Sequence, residues 1–209
     1  GAYLTLQKTE ALAKEEEAAE EMWGVIFPDV EVAGVSTNQP MVVQLDNISK
    51  KHTGTKAAAN AQFLAASEFF DQGKYTEAAA AFTLYRGMTT GGPLAAAAQF
   101  GLAASQDALG QKEKAQKGYE QIITQHVNAP EALQARVAWA KLLLVNSTPE
   151  GTDKARALLL AASQESQSAR IPGFWGREAQ RMLAPLQAEG EEGDNSEKEK
   201  SQKAEEKKP

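Results

Sequence analysis

The chain contains no cysteine in 209 residues. That absence excludes disulfides and thiolate metal sites, and it leaves the cellular compartment open. No run approaches the roughly 18 apolar residues of a membrane span, and no secretory leader is evident. Aromatic residues make up only 7%, and there are two histidines, His52 and His126. No Gly-x-Ser-x-Gly elbow, His-Glu-x-x-His helix or phosphate loop occurs. Gly91-Gly92-Pro93 lacks the strand and the Lys-Ser/Thr pair of a phosphate loop, so it is expected to be a turn. Asn47-Ile48-Ser49 and Asn146-Ser147-Thr148 match a glycosylation triplet, a pattern common by chance. With no catalytic constellation, the expectation is a non-enzymatic chain holding no cofactor and no metal.

Charge is unevenly spread. The net value is −6. The first 26 residues carry −4 and residues 189–209 carry −3, which leaves the body at +1. A near-neutral body lacks the basic footprint on which nucleic-acid binding depends, so nucleic acid is not an expected partner. The sequence starts at Gly1 without a methionine. A processed product and a chain trimmed of an upstream segment would both look like this, and the second is the expectation.

What the sequence does contain is a repeat. His52 and His126 lie 74 residues apart, twice 37. Leu45, Phe82 and Tyr119 step by 37, as do Ile48, Tyr85 and Ile122. Gly73 and Gly110, Ala78 and Ala115, Phe63 and Phe100, and Pro93 and Pro130 share the step. A period between about 20 and 50 residues marks stacked supersecondary units. Helices are predicted over 40–51, 56–72, 75–89, 94–109, 112–126, 130–146, 151–167 and 173–187. Gly73 and Gly110 would end helices in the left-handed conformation, and Pro93, Pro130 and Pro172 would open them. The segment 146–151 (NSTPEG) inserts three residues, so Ala115 is matched by Ala155. The two histidines fall just after helices, where a capping role is expected rather than a shared metal site.

Outside the repeats, residues 1–26 read as an acidic helical arm with a thin apolar stripe of Leu4, Ala11, Ala18 and Met22. Residues 27–40, with two prolines and spaced valines, read as an extended linker. Residues 41–187 hold the repeats, and 188–209 lack any large apolar side chain, so that tail is expected to be disordered.

The stretch Phe69-Phe70-Asp71-Gln72-Gly73-Lys74-Tyr75-Thr76-Glu77-Ala78, followed by Phe82, resembles a tetratricopeptide repeat. Leu109-Gly110-Gln111-Lys112-Glu113-Lys114-Ala115, followed by Tyr119, repeats it. Ala66, Ala103 and Ala140 fall at helix crossings, where only small side chains permit close approach. The implied fold is all-α: an α-solenoid of about three and a half such helix pairs with an N-terminal arm.

The 37-residue spacing and the helix–linker–repeat plan resemble bacterial envelope proteins, above all the inner-membrane-anchored, translocon-associated tetratricopeptide-like family. The resemblance implies a protein-interaction module, a scaffold, adaptor or chaperone-like protein, on the periplasmic face of the cell envelope. It also implies a membrane anchor upstream of this chain. The alternative is an oligomerising coordinator of envelope assembly acting through its N-terminal helix. In this family the first helix of each pair lines a groove for a protein or peptide partner. Carried over residue by residue, the groove would hold Asn60, Phe63, Ser67, Phe70 and Asp71, then Ala97, Phe100, Ala104, Asp107 and Ala108. In the third pair it would hold Gln134, Val137, Lys141, Leu144 and Val145. Phe63, Phe70, Phe100 and Val137 would form its apolar stripe. Core packing, the linker or the arm could equally cover these residues. Trp139 and Trp175 are expected to pack in the core, and the last helix to form a polar cap through Arg177, Glu178, Gln180 and Arg181.

Deleting residues 190–209 should leave the melting temperature nearly unchanged, because nothing in that segment can bury apolar area. A large drop on deletion would show that the tail docks.

Overall fold

The computed structural model describes residues 2–28, 38–145, 148–167 and 173–188. Most of the linker, Pro172 and the tail beyond 188 lie outside the described residues. Within them the chain is helical, with no strand. The helices are α1 (Ala2–Ile26), α2 (Met41–Lys51), α3 (Lys56–Asp71), α4 (Tyr75–Met88) and α5 (Ala95–Ala108). They continue with α6 (Lys112–Gln125), α7 (Pro130–Leu144), α8 (Pro149–Gln167) and α9 (174–188). The predicted helices therefore form close to the expected limits. Packing gathers the chain into two compact units, residues 1–118 and 119–209.

Local chemistry sets the helix ends. Gly73 and Gly110 both have φ of 72°, the left-handed region that costs an L-residue strain but glycine none. Lys74 N–H donates to Phe69 O at 2.9 Å and Gln111 N–H to Gln106 O at 2.8 Å, closing the same wide turn in both repeats. Pro130 opens α7 in the first turn, where a missing N–H is harmless. Pro93 does not open a helix; α5 begins two residues later at Ala95. The histidines are equivalent, as expected: His52 N–H donates to Ile48 O at 3.0 Å and His126 N–H to Ile122 O at 2.9 Å.

Each unit has its own core. In residues 1–118, α1, α2 and α3 meet around Val25, Val42, Leu45, Ile48, Ala61 and Ala65. Alongside, Ala66, Ala78, Ala81, Phe82, Tyr85 and Ala98 join α3, α4 and α5. Phe82 packs edge-on to Phe63, with ring centroids 5.8 Å apart. It also covers Gly101 on α5, where any side chain would collide with the ring. In residues 119–209, Val137, Ala140, Leu159, Ala162, Ala179 and Leu183 join α7, α8 and α9. Trp139 is buried as expected, while Trp175 is half-buried against this core.

The 37-residue register holds. Leu45, Phe82, Tyr119 and, after the insertion, Leu159 are all exposed by 3% or less. Ala66, Ala103 and Ala140 have no exposed surface, which lets neighbouring backbones approach.

Two glycines in helices test this packing. Gly87 has no atom within 4 Å of where a Cβ would sit. Gly87→Ala should therefore stabilise by roughly 0.5–1 kcal/mol through helix propensity. Gly101→Ala should destabilise, because its methyl meets Phe82, and Phe82→Ala should cost roughly 3–5 kcal/mol. Urea unfolding reads all three, and equal gains from both glycine changes would contradict the Phe82–Gly101 contact.

Candidate functional site

The carried-over groove residues divide between the two units. In residues 1–118, Asn60 is exposed, whereas Phe63, Ser67, Phe70, Phe100 and Asp107 are half-buried. Phe63 sits between core rings, 5.8 Å from Phe82 and 5.6 Å from Tyr85, both edge-on. Phe70 meets Tyr75 at 5.2 Å, and the Ser67 hydroxyl donates to Phe63 O at 3.1 Å. Phe63 and Phe70 thus form the outer wall of the core rather than freestanding anchors.

Two corrections fall in residues 119–209. Val137 is fully buried among Leu159, Ala179 and Leu183, so its side chain does not line an open groove. Lys141 is exposed, but its ammonium lies 3.0 Å from Glu178 and over the Trp175 ring. Glu178 also accepts from Arg181 at 2.8 Å. Hydrogen bonds from Arg181 and then Lys141 pull the Glu178 carboxyl down to about 2. Lys141 is therefore already engaged. Of the expected polar cap on α9, Arg177, Gln180 and Arg181 are exposed, and Glu178 is half-buried between Lys141 and Arg181. Gln134 is half-buried.

The structure adds two features to residues 1–118. The first is how the arm docks. Glu15 of α1 receives hydrogen bonds from the backbone N–H of Lys56 and of Ala57, both at 2.8 Å. These are orphan donors at the start of α3, and a carboxylate there also complements the helix dipole. Thr55, the residue before α3, caps a third donor, Ala58 N–H, at 3.0 Å. Further along α1, Glu21 reaches the end of α2, bonding the Lys51 ammonium and lying 3.0 Å from His52 Nε2. Ala18 and Val25 are buried beneath these contacts. Described residues 4–14 of the same helix are all exposed.

Glu17, Glu21 and His52 place three potential metal-ligand atoms within 4.8 Å of one another. The Lys51 ammonium bonds both carboxylates, so it already supplies the positive charge a cation would bring. Burial raises the Glu21 carboxyl, but hydrogen bonds from Lys51 and His52 outweigh it and leave Glu21 below its ordinary 4.5. The hydrogen bond to Glu21 is the main cause raising Lys51 above its ordinary 10.5.

The second feature is a cavity of about 570 Å³ between the start of α3 and the α4–α5 loop. Ala59, Tyr85 and Met88 form its inner wall, and Lys56, Asn60 and the segment Thr89–Pro93 form its rim. Asn60 is the only carried-over groove residue that lines it. Gly91 and Gly92 have φ of 125° and 106°, so the turn expected there requires glycine.

The arm contacts carry a definite pH dependence. Glu21 has a depressed carboxyl, so its contribution is complete above 4.5 and fades as pH falls through its lowered folded value. Lys51 is raised, so its contribution is complete below 10.5 and fades as pH rises through its raised value. Glu21→Gln should lower the melting temperature at pH 7, and the difference from wild type should shrink in acid. Glu15→Ala should cost about 1 kcal/mol, the usual worth of a helix cap. A Glu21→Gln difference that persists in strong acid would show that docking does not depend on this charge.

Among the described residues no helix is long and apolar enough to cross a membrane. No family model matches the chain, and no curated protein matches it. Among solved structures it is similar to a protein from Podosopora anserina assigned to the kinesin light chains, with nearly identical TPR-like repeats. That likeness has a TM-score of 0.57 at 17% sequence identity and covers 93% of each chain. At this identity the likeness establishes the fold, an all-helical TPR-like solenoid.

Proposed function

We propose that the chain is a non-enzymatic protein-interaction module that receives partner segments on the first-helix face of α3 and α5. The observation that carries this reading is the TPR-like fold, an architecture that works by offering surface. Residues 1–118 are the better candidate half, since Val137 and Lys141 are occupied within residues 119–209. The periplasmic, inner-membrane-anchored setting rests on the helix–linker–repeat plan and the 37-residue spacing. Proteins or peptides are the partners in this reading, with nucleic acid disfavoured by the near-neutral body.

A second reading is favoured by one observation. Leu4, Leu6 and Leu12 on α1 are 63%, 59% and 63% exposed, so the free half of the arm could pair with another copy. Light scattering of the full chain and of Leu4→Ser/Leu12→Ser tests it, and a monomer in both cases removes it.

The main reading is tested by photo-crosslinking. A photoreactive residue at Asn60 should capture discrete proteins from a bacterial envelope preparation. The same group at Thr83, exposed on α4, should not. Identical capture from both positions, or none from Asn60, would contradict the assigned face.

A further inference from the structure

The cavity beside the start of α3 contains a buried polar group that packing does not explain. Tyr85 is 3% exposed and borders the cavity. Its hydroxyl makes no hydrogen bond with any described residue, yet it is not sealed in the core as an orphan. A nearly buried residue with an accessible, unpaired hydroxyl directs that group into the open space it borders. One 37-residue step replaces Tyr85 with Ile122, which is fully buried, and Asn60 with Ala97. The fold therefore accepts apolar side chains at both positions, and their polar groups are additional to packing.

Charge at the rim is balanced. Lys56 brings an exposed ammonium. Glu15 brings a carboxylate to the same helix start, accepting from the backbone N–H of Lys56 and of Ala57. Ala58 N–H donates to the Thr55 hydroxyl at 3.0 Å, and Ala59 N–H to Thr55 O at 3.3 Å. The leading N–H groups of α3 are therefore all satisfied, and the helix start keeps no donor for an anion. An incoming anion would also meet the Glu15 charge, and an incoming cation the Lys56 charge. The rim suits a neutral ligand.

The groups left free are neutral and bifunctional. The Asn60 amide and the Thr89 and Thr90 hydroxyls make no polar contact with a described residue. Like the Tyr85 hydroxyl, each can donate and accept. The N–H groups of Thr90, Gly91 and Gly92 donate to no backbone carbonyl, and Ala59 and Met88 form an apolar floor. The volume of about 570 Å³ lies within the roughly 300–1,000 Å³ usual for ligand sites. From this arrangement we propose that the cavity binds a neutral saccharide. Sugar hydroxyls donate and accept in turn, which matches Tyr85, Asn60, Thr89 and Thr90. The C–H face of the ring rests on Ala59 and Met88. An extended peptide would need a strand edge or a series of side-chain pockets. The described residues contain no strand, and the apolar floor is a single patch. The inference goes beyond the protein-interaction reading and stands on the cavity alone.

The test uses the full chain, labelled with nitrogen-15, titrated separately with maltose, cellobiose and chitobiose. At least one should shift the amide signals of Asn60 and of residues 89–92 in a saturable way. Tyr85→Phe retains the core ring and should weaken that binding about fivefold, the effect of one neutral hydrogen bond. Lys56→Gln and added sodium chloride should leave it nearly unchanged, because the ligand carries no charge. The corresponding tetrasaccharide separates two sources: tighter binding assigns a glycan chain, and equal binding a short free sugar. No shift at these residues with any of the sugars would overturn the proposal, as would affinity unchanged in Tyr85→Phe. So would inorganic phosphate, or the peptide acetyl-Ala-Gln-Gln-Leu-Ala-amide, producing the same shifts at lower concentration.

Discussion

Close approach of helices at small side chains is the constraint on which the structure depends. Ala66, Ala103 and Ala140 recur at a 37-residue step and have no exposed surface. Gly118 of α6 would place a Cβ 2.7 Å from Ala103, and Gly101 of α5 admits the Phe82 ring. Alanine and glycine bury little area of their own, so their contribution is geometric. They bring backbones near enough for the few large residues, Leu45, Phe82, Tyr119 and Leu159, to close each interface. This is how an alanine-rich chain with 7% aromatics still forms a close-packed interior.

The arm follows a different rule. Its apolar stripe is thin, and what fixes it is the pairing of acidic side chains with helix ends. Glu15 satisfies two orphan N–H groups at the start of α3, while Glu21 bonds Lys51 and His52 at the end of α2. The connection between α2 and α3 is thereby clasped from outside. The acidic character of residues 1–26 is structural in the second half of α1, whereas residues 4–14 remain exposed. The clasp also sits beside the cavity, because Thr55 and Lys56 belong to both. Arm position and cavity shape therefore share one short stretch of backbone.

The repeat architecture was legible because it rests on periodic large residues and on Gly73 and Gly110, whose type alone reports the left-handed turn. The arm's docking was not legible, because acids on an acidic helix look like a solvated face until their partners are located. Only the distant N–H groups of Lys56 and Ala57 give Glu15 its role. The groove was partly legible. Asn60 lies on the surface, but Phe63 turned out to be a core wall. Val137 is buried because Ala179 and Leu183 of α9 share its cluster, and no residue near Val137 signals that. Lys141 looked available in sequence, yet Glu178, 37 residues later, holds it. The cavity residues carried a faint signal: Lys56, Asn60 and Tyr85 break the apolar pattern that Pro93, Ala97 and Ile122 set in the next repeat.

A solenoid whose backbones touch at fixed small residues gives a stiff frame, and a stiff frame presents a preorganised surface to a partner. Specificity then resides in the positions where one repeat differs from the next. The claim beneath this account is that the alanine crossings set the helix spacing. Urea unfolding of Ala66→Leu and Ala103→Leu tests it most directly. The account predicts a loss of roughly 1–3 kcal/mol for each, the usual cost of overpacking a close-packed core. Substitutions that leave stability within about 0.5 kcal/mol of wild type, as at ordinary surface positions, would contradict it.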